Sequence, residues 1–148
     1  MYPKLKNCFQ VSHTKNLLVP KQLLFAIALL WTGVIAYFCL EKASDLPGIT
    51  IPNLDKCVHS FFHFGFTLLW FLFFRKQLPS STFGKLLLYS FFLSFVFGIS
   101  IEFLQEFYTK TRKGDVFDVI ANTIGSVLAI FVIVICNKFN FLNRVFNN

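Results

Sequence analysis

Acidic residues are scarce in this chain, with seven among 148 positions. None precedes Glu41, none falls between Asp55 and Glu102, and none follows Asp118. Charged residues of both signs make up 14% of the sequence. Soluble globular domains carry about a quarter, so an ordinary soluble domain is excluded. The four cysteines include no Cys-x-x-Cys pair, which leaves zinc and redox chemistry without a motif. A P-loop, a Gly-x-Ser-x-Gly elbow and a dinucleotide fingerprint are all missing, so ATP-driven and Rossmann chemistry have no support. No segment alternates apolar and polar residues with period two, which argues against a sheet.

What remains is apolar. The chain is 55% hydrophobic and contains 22 Phe, with a mean hydropathy of +0.63. Four long runs stand out, at residues 22–40, 57–74, 86–107 and 116–136. Each can cross a bilayer, which takes roughly 20 residues. The expected fold is all-α: a polytopic membrane protein built as a four-transmembrane-helix bundle. The first run is too long for a signal-peptide h-region and lacks an A-x-A-like cleavage site, so it reads as a retained anchor. The expected organisation is a basic N-terminal tail (1–21), a transmembrane domain (22–137) and a short C-terminal tail (138–148).

Four spans put both termini on one side. That side carries nine Lys and Arg, from Lys4 to Arg144, against five on the other. The positive-inside rule then places both termini in the cytoplasm. All seven acids fall on the opposite, outer side. The net charge of +7 suggests nucleic acid in a soluble protein. Here the basic residues are mostly juxtamembrane, facing anionic lipid headgroups, so no nucleic-acid partner is expected. Cys39 and Cys57 both lie near the outer face and read as packed thiols rather than a disulfide.

The polar residues are patterned. Asp55, His59 and His63 recur at i, i+4 and i+8, a stripe running about 12 Å inward from the outer surface. Glu102, Gln105 and Glu106 share one face before the third span exits, and Ser94 and Gly98 continue it inward as small residues. Asp115, Asp118, Asn122 and Gly125 fall within an arc of about 80° on the fourth span. Ionisable groups are costly against lipid. The economical arrangement turns the three stripes toward one another as an outward-opening, water-accessible cleft, with Arg112 and Lys113 on the loop above.

Simpler readings exist for some of these residues. Asp55 suits a helix N-cap, Asp115 suits an acid favoured by the helix dipole, His59 suits an interhelical hydrogen bond, and Glu106 suits the exposed interface. Asp118, Asn122 and Glu102 lie further into the apolar runs, where an ionisable group is a functional candidate by default.

Three stretches in this order resemble the VanZ family. They are DKCVHSFFHFGFTLLW (55–70), IEFLQEFY (101–108) with its Glu-x-x-Gln pattern, and Arg112 followed by the Asp-x-x-x-Asn-x-x-Gly pattern of Asp118, Asn122 and Gly125. With the first span they cover residues 22–136. The family often has Phe directly after its first His, whereas Ser60 follows His59 here. Spacing from Asp55–Lys56 assigns that position to His59 rather than His63. The family takes its name from a membrane protein linked to glycopeptide resistance, notably to teicoplanin. The resemblance implies the bacterial cytoplasmic membrane and the cell envelope rather than a particular reaction.

Two functions fit these features. In the first, an outer-leaflet site binds or acts on a lipid headgroup or a lipid-linked cell-wall precursor. Glu102 and Asp118 are then the candidate acid and base, with His59 as a further catalytic candidate. Arg112 holds a phosphate or carboxylate, and Asp55, Lys56, Gln105 and Asn122 complete the ligand side. A divalent cation on Asp55, His59, Glu102 and Asp118 is chemically allowed, but no spacing specifies one, so neither a metal nor any other cofactor is expected. In the second function the polar residues only hold a structural or partner-binding bundle together. A proton-coupled transporter fits less well, because the inner half of the spans offers no acid.

Overall fold

A computed structural model describes residues 20–40, 53–108 and 114–139. Arg112 and Lys113 lie outside the described residues. The described chain forms four helices: α1 (Lys21–Leu40), α2 (Leu54–Gln77), α3 (Phe83–Tyr108) and α4 (Val116–Lys138). All four are long and apolar enough to cross a membrane, at about 1.5 Å per residue. The protein is therefore an all-α, multi-pass membrane protein. Each apolar run lies within one helix, and α2 and α3 extend past their runs at both ends.

The helix starts show the local chemistry. Asp115 caps α4, its carboxylate accepting from the Phe117 N–H at 2.9 Å, which satisfies one of the unpaired amides of a first turn. At α2 the N-cap position is Asn53, in the left-handed region at φ 62° and with no side-chain cap bond. Asp55 lies one residue inside the first turn, where the helix dipole favours a negative charge. A chain that crosses a bilayer must satisfy its backbone internally, and long helices do so.

The helices form a rhombus in section. α2 and α3 pack on each other and each touches both α1 and α4. Among the described residues α1 and α4 do not approach. The most extensive pairing is α2 with α4. Apolar packing is concentrated in two places. Ile35, Cys39, Phe66 and Ile101 join α1, α2 and α3, with Phe66 and Phe97 stacked at 4.9 Å. Phe71, Leu86 and Ile133 join α2, α3 and α4 toward the opposite end. Large apolar side chains such as Leu30, Phe92 and Phe131 point outward. In water this would be an aggregating surface; in a bilayer it is the expected lipid face.

Close packing of α2 on α4 depends on Gly125. A Cβ built there would fall on the Ser60 carbonyl oxygen of α2, so any side chain must push the two helices apart. Small residues allow such approaches in membrane helix pairs. Gly125→Ala should therefore lower the melting temperature in detergent by several degrees, matching about 1–3 kcal/mol of overpacking. Gly33→Ala and Gly84→Ala, where an added Cβ meets nothing within 4 Å, should leave it nearly unchanged. Equal melting of all three variants would contradict this account of the α2–α4 contact.

Candidate functional site

The polar stripes converge at the end of the bundle where α2 and α4 begin and α3 ends. His59, on α2, is 2% exposed and occupies the centre. Its Nδ1 is hydrogen-bonded to Asn122 Oδ1 at 3.2 Å, and Glu102 Oε1 lies 3.9 Å from the same nitrogen. On the other side of the ring, Nε2 faces Asp118 Oδ2 at 3.8 Å and Asp55 Oδ1 at 3.9 Å. The amide oxygen can only accept, so a neutral His59 donates from Nδ1 and leaves its Nε2 lone pair facing two carboxylates.

Lys56 supplies the nearest described positive charge. Its ammonium lies 3.3 Å from Asp115 Oδ2 and 3.6 Å from Asp118 Oδ1. It therefore links the first turns of α2 and α4 across the mouth. Asp115 sits outside the spans, and its carboxyl is held below the ordinary value of 3.8. The leading cause is the Phe117 N–H bond, with the hydrogen bond to Lys56 adding to it and partial burial opposing. Glu102 works at the same mouth: its Oε2 accepts the Asp115 N–H at 3.1 Å. Glu106 is exposed and accepts the Gly114 N–H at 2.9 Å. These two carboxylates thus dock the entry to α4 onto the end of α3.

Below this cluster lies a second, hydrogen-bonded chain. Ser126 Oγ donates to the Asn122 carbonyl at 3.0 Å. Ser94 and Ser126 are joined at 2.8 Å, and His63 Nδ1 meets Ser94 Oγ at 2.8 Å. Each hydroxyl has one proton, so the direction is fixed. Ser126 gives its proton to the carbonyl, Ser94 gives its proton to Ser126, and His63 must donate to Ser94 from Nδ1. Gly98 makes room for this stack: a Cβ there would lie 3.0 Å from His63 Cε1 and 3.1 Å from Asn122 Nδ2.

The two levels differ in how completely they are paired. Among the described residues, four buried side-chain polar atoms lack a hydrogen-bond partner. Three belong to the mouth cluster: Glu102 Oε1, Asp118 Oδ1 and Asn122 Nδ2. The fourth, Thr67 Oγ1, lies one turn below His63 on α2. Buried polar groups are normally paired, and leaving one unpaired costs about 1–3 kcal/mol. The mouth therefore presents two acceptors and one donor without a hydrogen bond inside the protein, although Lys56 faces Asp118 Oδ1 as an ion-pair neighbour at 3.6 Å.

The structure thus brings Asp55, Lys56, His59, Glu102, Asp118 and Asn122 into one cluster. Gln105 turns elsewhere, its amide donating to the Cys39 carbonyl at 2.8 Å and tying α3 to α1. Cys39 is buried and Cys57 exposed, with no disulfide among the described cysteines. Sequence reasoning took Ser94 only as a small residue, did not single out Ser126, and left His63 outside the site. The signal was there: Ser126 follows Asn122 by four residues, as His63 follows His59. Asp55, His59 and Asp118 each offer one ligand atom, all within 4.8 Å of one another.

A laterally open groove of about 450 Å³ runs from this mouth down the outside of α2 and α4. Lys56 and Asn53 lie at its polar end, and Phe61, Phe64, Ile124 and Leu128 line its apolar length.

A family model described as VanZ/LLP1 matches residues 4–137. An uncharacterized protein of Schizosaccharomyces pombe is 28% identical over 124 residues, covering 82% of this chain and 74% of that protein. No solved structure matches the chain.

The depressed Asp115 value carries a signed consequence. A carboxyl lowered by folding contributes stability above its unfolded value, and that stability is lost as pH falls through the lower folded value. Asp115→Asn keeps a cap acceptor but removes the charge facing Lys56. Its melting temperature should fall less than that of wild type between about pH 5 and pH 3. Parallel curves for the two proteins would rule out the Asp115–Lys56 pair as a source of acid sensitivity.

Proposed function

The chain belongs to the VanZ/LLP1 family, and from that premise we propose that its mouth cluster binds and acts on a lipid headgroup or lipid-linked envelope precursor. In this reading both termini are cytoplasmic, as the basic residues suggest, and the cleft opens to the outer leaflet. The observation that carries it is that Glu102 Oε1, Asp118 Oδ1 and Asn122 Nδ2 are buried without a hydrogen-bond partner. A cluster that served only to join helices would hydrogen-bond them, as the Ser94 and Ser126 hydroxyls are bonded below. The apolar groove beside Lys56 supports sideways entry from the bilayer, with its volume in the range of ordinary ligand sites.

Within the site, Lys56 offers the charge for a phosphate or carboxylate. Glu102 and Asp118 are the acid and base candidates flanking His59, and Asn122 Nδ2 is the free donor that orients the ligand. Arg112, outside the described residues, is a further candidate for the same anion. The similarity to a fission-yeast protein favours a phosphate-bearing lipid headgroup over chemistry confined to a bacterial wall. In a bacterial host, a change in glycopeptide susceptibility is a downstream phenotype of the same site.

The alternative, a bundle held together by its polar residues, is favoured by the paired lower level and by the Gln105–Cys39 bond. The two readings separate by mutation. In a deletion strain of the native host, wild type, Glu102→Gln and Asp118→Asn are restored at matched membrane levels. Envelope lipids and precursors are then profiled by mass spectrometry. The site reading expects a species that changes on deletion and returns only with wild type, while both variants melt within a few degrees of it. An unchanged profile, with Asp118→Asn strongly destabilised, would establish the structural role instead.

A further inference from the structure

We propose that Asp55, His59 and Asp118 form a site for one divalent cation of the zinc class, with a further position open to the cleft. Sequence spacing alone specified no metal, because Asp118 lies in a different helix from the other two. The fold supplies what spacing could not. Asp55 and His59 stand one turn apart on α2, and Asp118 enters from the first turn of α4. His59 Nε2 lies 3.8 Å from Asp118 Oδ2 and 3.9 Å from Asp55 Oδ1. An ion about 2.0–2.2 Å from each ligand separates its ligands by roughly 3–4 Å; both distances from His59 fall at the upper end of that range, and all three ligand atoms lie within 4.8 Å of one another.

Burial and hydrogen bonding point the same way. His59 and Asp118 are 2% and 5% exposed, while Asp55 is exposed at the rim. Donation from Nδ1 to Asn122 Oδ1 at 3.2 Å is the outer contact that fixes a ligating imidazole and frees its other nitrogen. With the neutral His59 that this bond implies, that nitrogen turns a lone pair toward two carboxyl oxygens. Asp118 Oδ1 is buried without a hydrogen-bond partner; Lys56, at 3.6 Å, is an ion-pair neighbour beyond bonding reach. Glu102 sits on the Nδ1 side of the ring and is not a ligand. One imidazole with two carboxylates suits Zn²⁺ first and Mn²⁺ second. The open position faces the mouth, where an anionic oxygen can complete the coordination.

This inference goes beyond the lipid reading and does not need it, because the metal is counted with no lipid ligand present. The untagged full-length chain in detergent micelles is stripped with EDTA, given Zn²⁺ or Mn²⁺, desalted, and measured by inductively coupled plasma mass spectrometry. About one Zn²⁺ per chain is expected for wild type and for His13→Gln. Retention should drop at least tenfold in His59→Gln and Asp118→Asn. In the wild type alone, Zn²⁺ should raise the melting temperature over the EDTA-treated protein, a reading that survives if the variants do not fold. A doubly protonated His59 is the competing bridge between the carboxylates. It predicts less than about 0.1 ion per chain and no metal-dependent melting shift. Either that result or equal retention by a folded His59→Gln overturns the proposal.

Discussion

The contact between α2 and α4 at Gly125 is the constraint from which the rest of the arrangement follows. With no side chain at Gly125, the backbone of α4 can reach the Ser60 carbonyl. That approach brings Asn122 within hydrogen-bond distance of His59, and Asp118 and Asp115 within reach of Lys56. Two helices separated by a larger residue would leave each of these groups alone in an apolar setting. There the isolated polar groups are costly, so the small residue and the polar cluster depend on each other.

The bundle is organised inside out relative to a soluble domain. Its exterior is Phe, Leu and Val, while several of its most buried side chains are His, Asn, Thr and Ser. In a bilayer the apolar exterior gains nothing by leaving lipid, so helix association rests on packing and interhelical hydrogen bonds. Such bonds average only about 0.6 kcal/mol each. The protein accordingly uses several: Trp70 to Thr32, Trp31 to the Phe62 carbonyl, Gln105 to the Cys39 carbonyl, and the serine chain to His63. These lie along the α1–α2–α3 contacts and beneath the mouth. The mouth itself is built on other terms, with carboxylates crowded around one imidazole and polar atoms left unpaired.

The membership in a family, the lateral apolar groove and the buried polar atoms without hydrogen bonds at the mouth are three separate kinds of observation. Family membership constrains the architecture but specifies no reaction. The groove joins an apolar stretch along α2 and α4 to Lys56. The atoms without a hydrogen bond carry a desolvation cost that no partner within the protein offsets by hydrogen bonding.

The sequence by itself determined the four helices, their approximate limits and the end of the bundle at which polar groups gather. These properties are local: the length of an apolar run and a repeat near 3.6 residues depend on near neighbours alone. The same periodicity placed Asp118 and Asn122 on one face of α4, and Asp55, His59 and His63 on one face of α2. Only the tertiary structure decided which groups meet. It set Lys56 against Asp115 and Asp118, sent Gln105 to α1, joined His63 to Ser94 and Ser126, and gave the two nitrogens of His59 different neighbours. Those outcomes depend on how far each helix is rotated and how closely α2 and α4 approach. Both are fixed by contacts between residues roughly 30 to 65 positions apart, which no local pattern encodes.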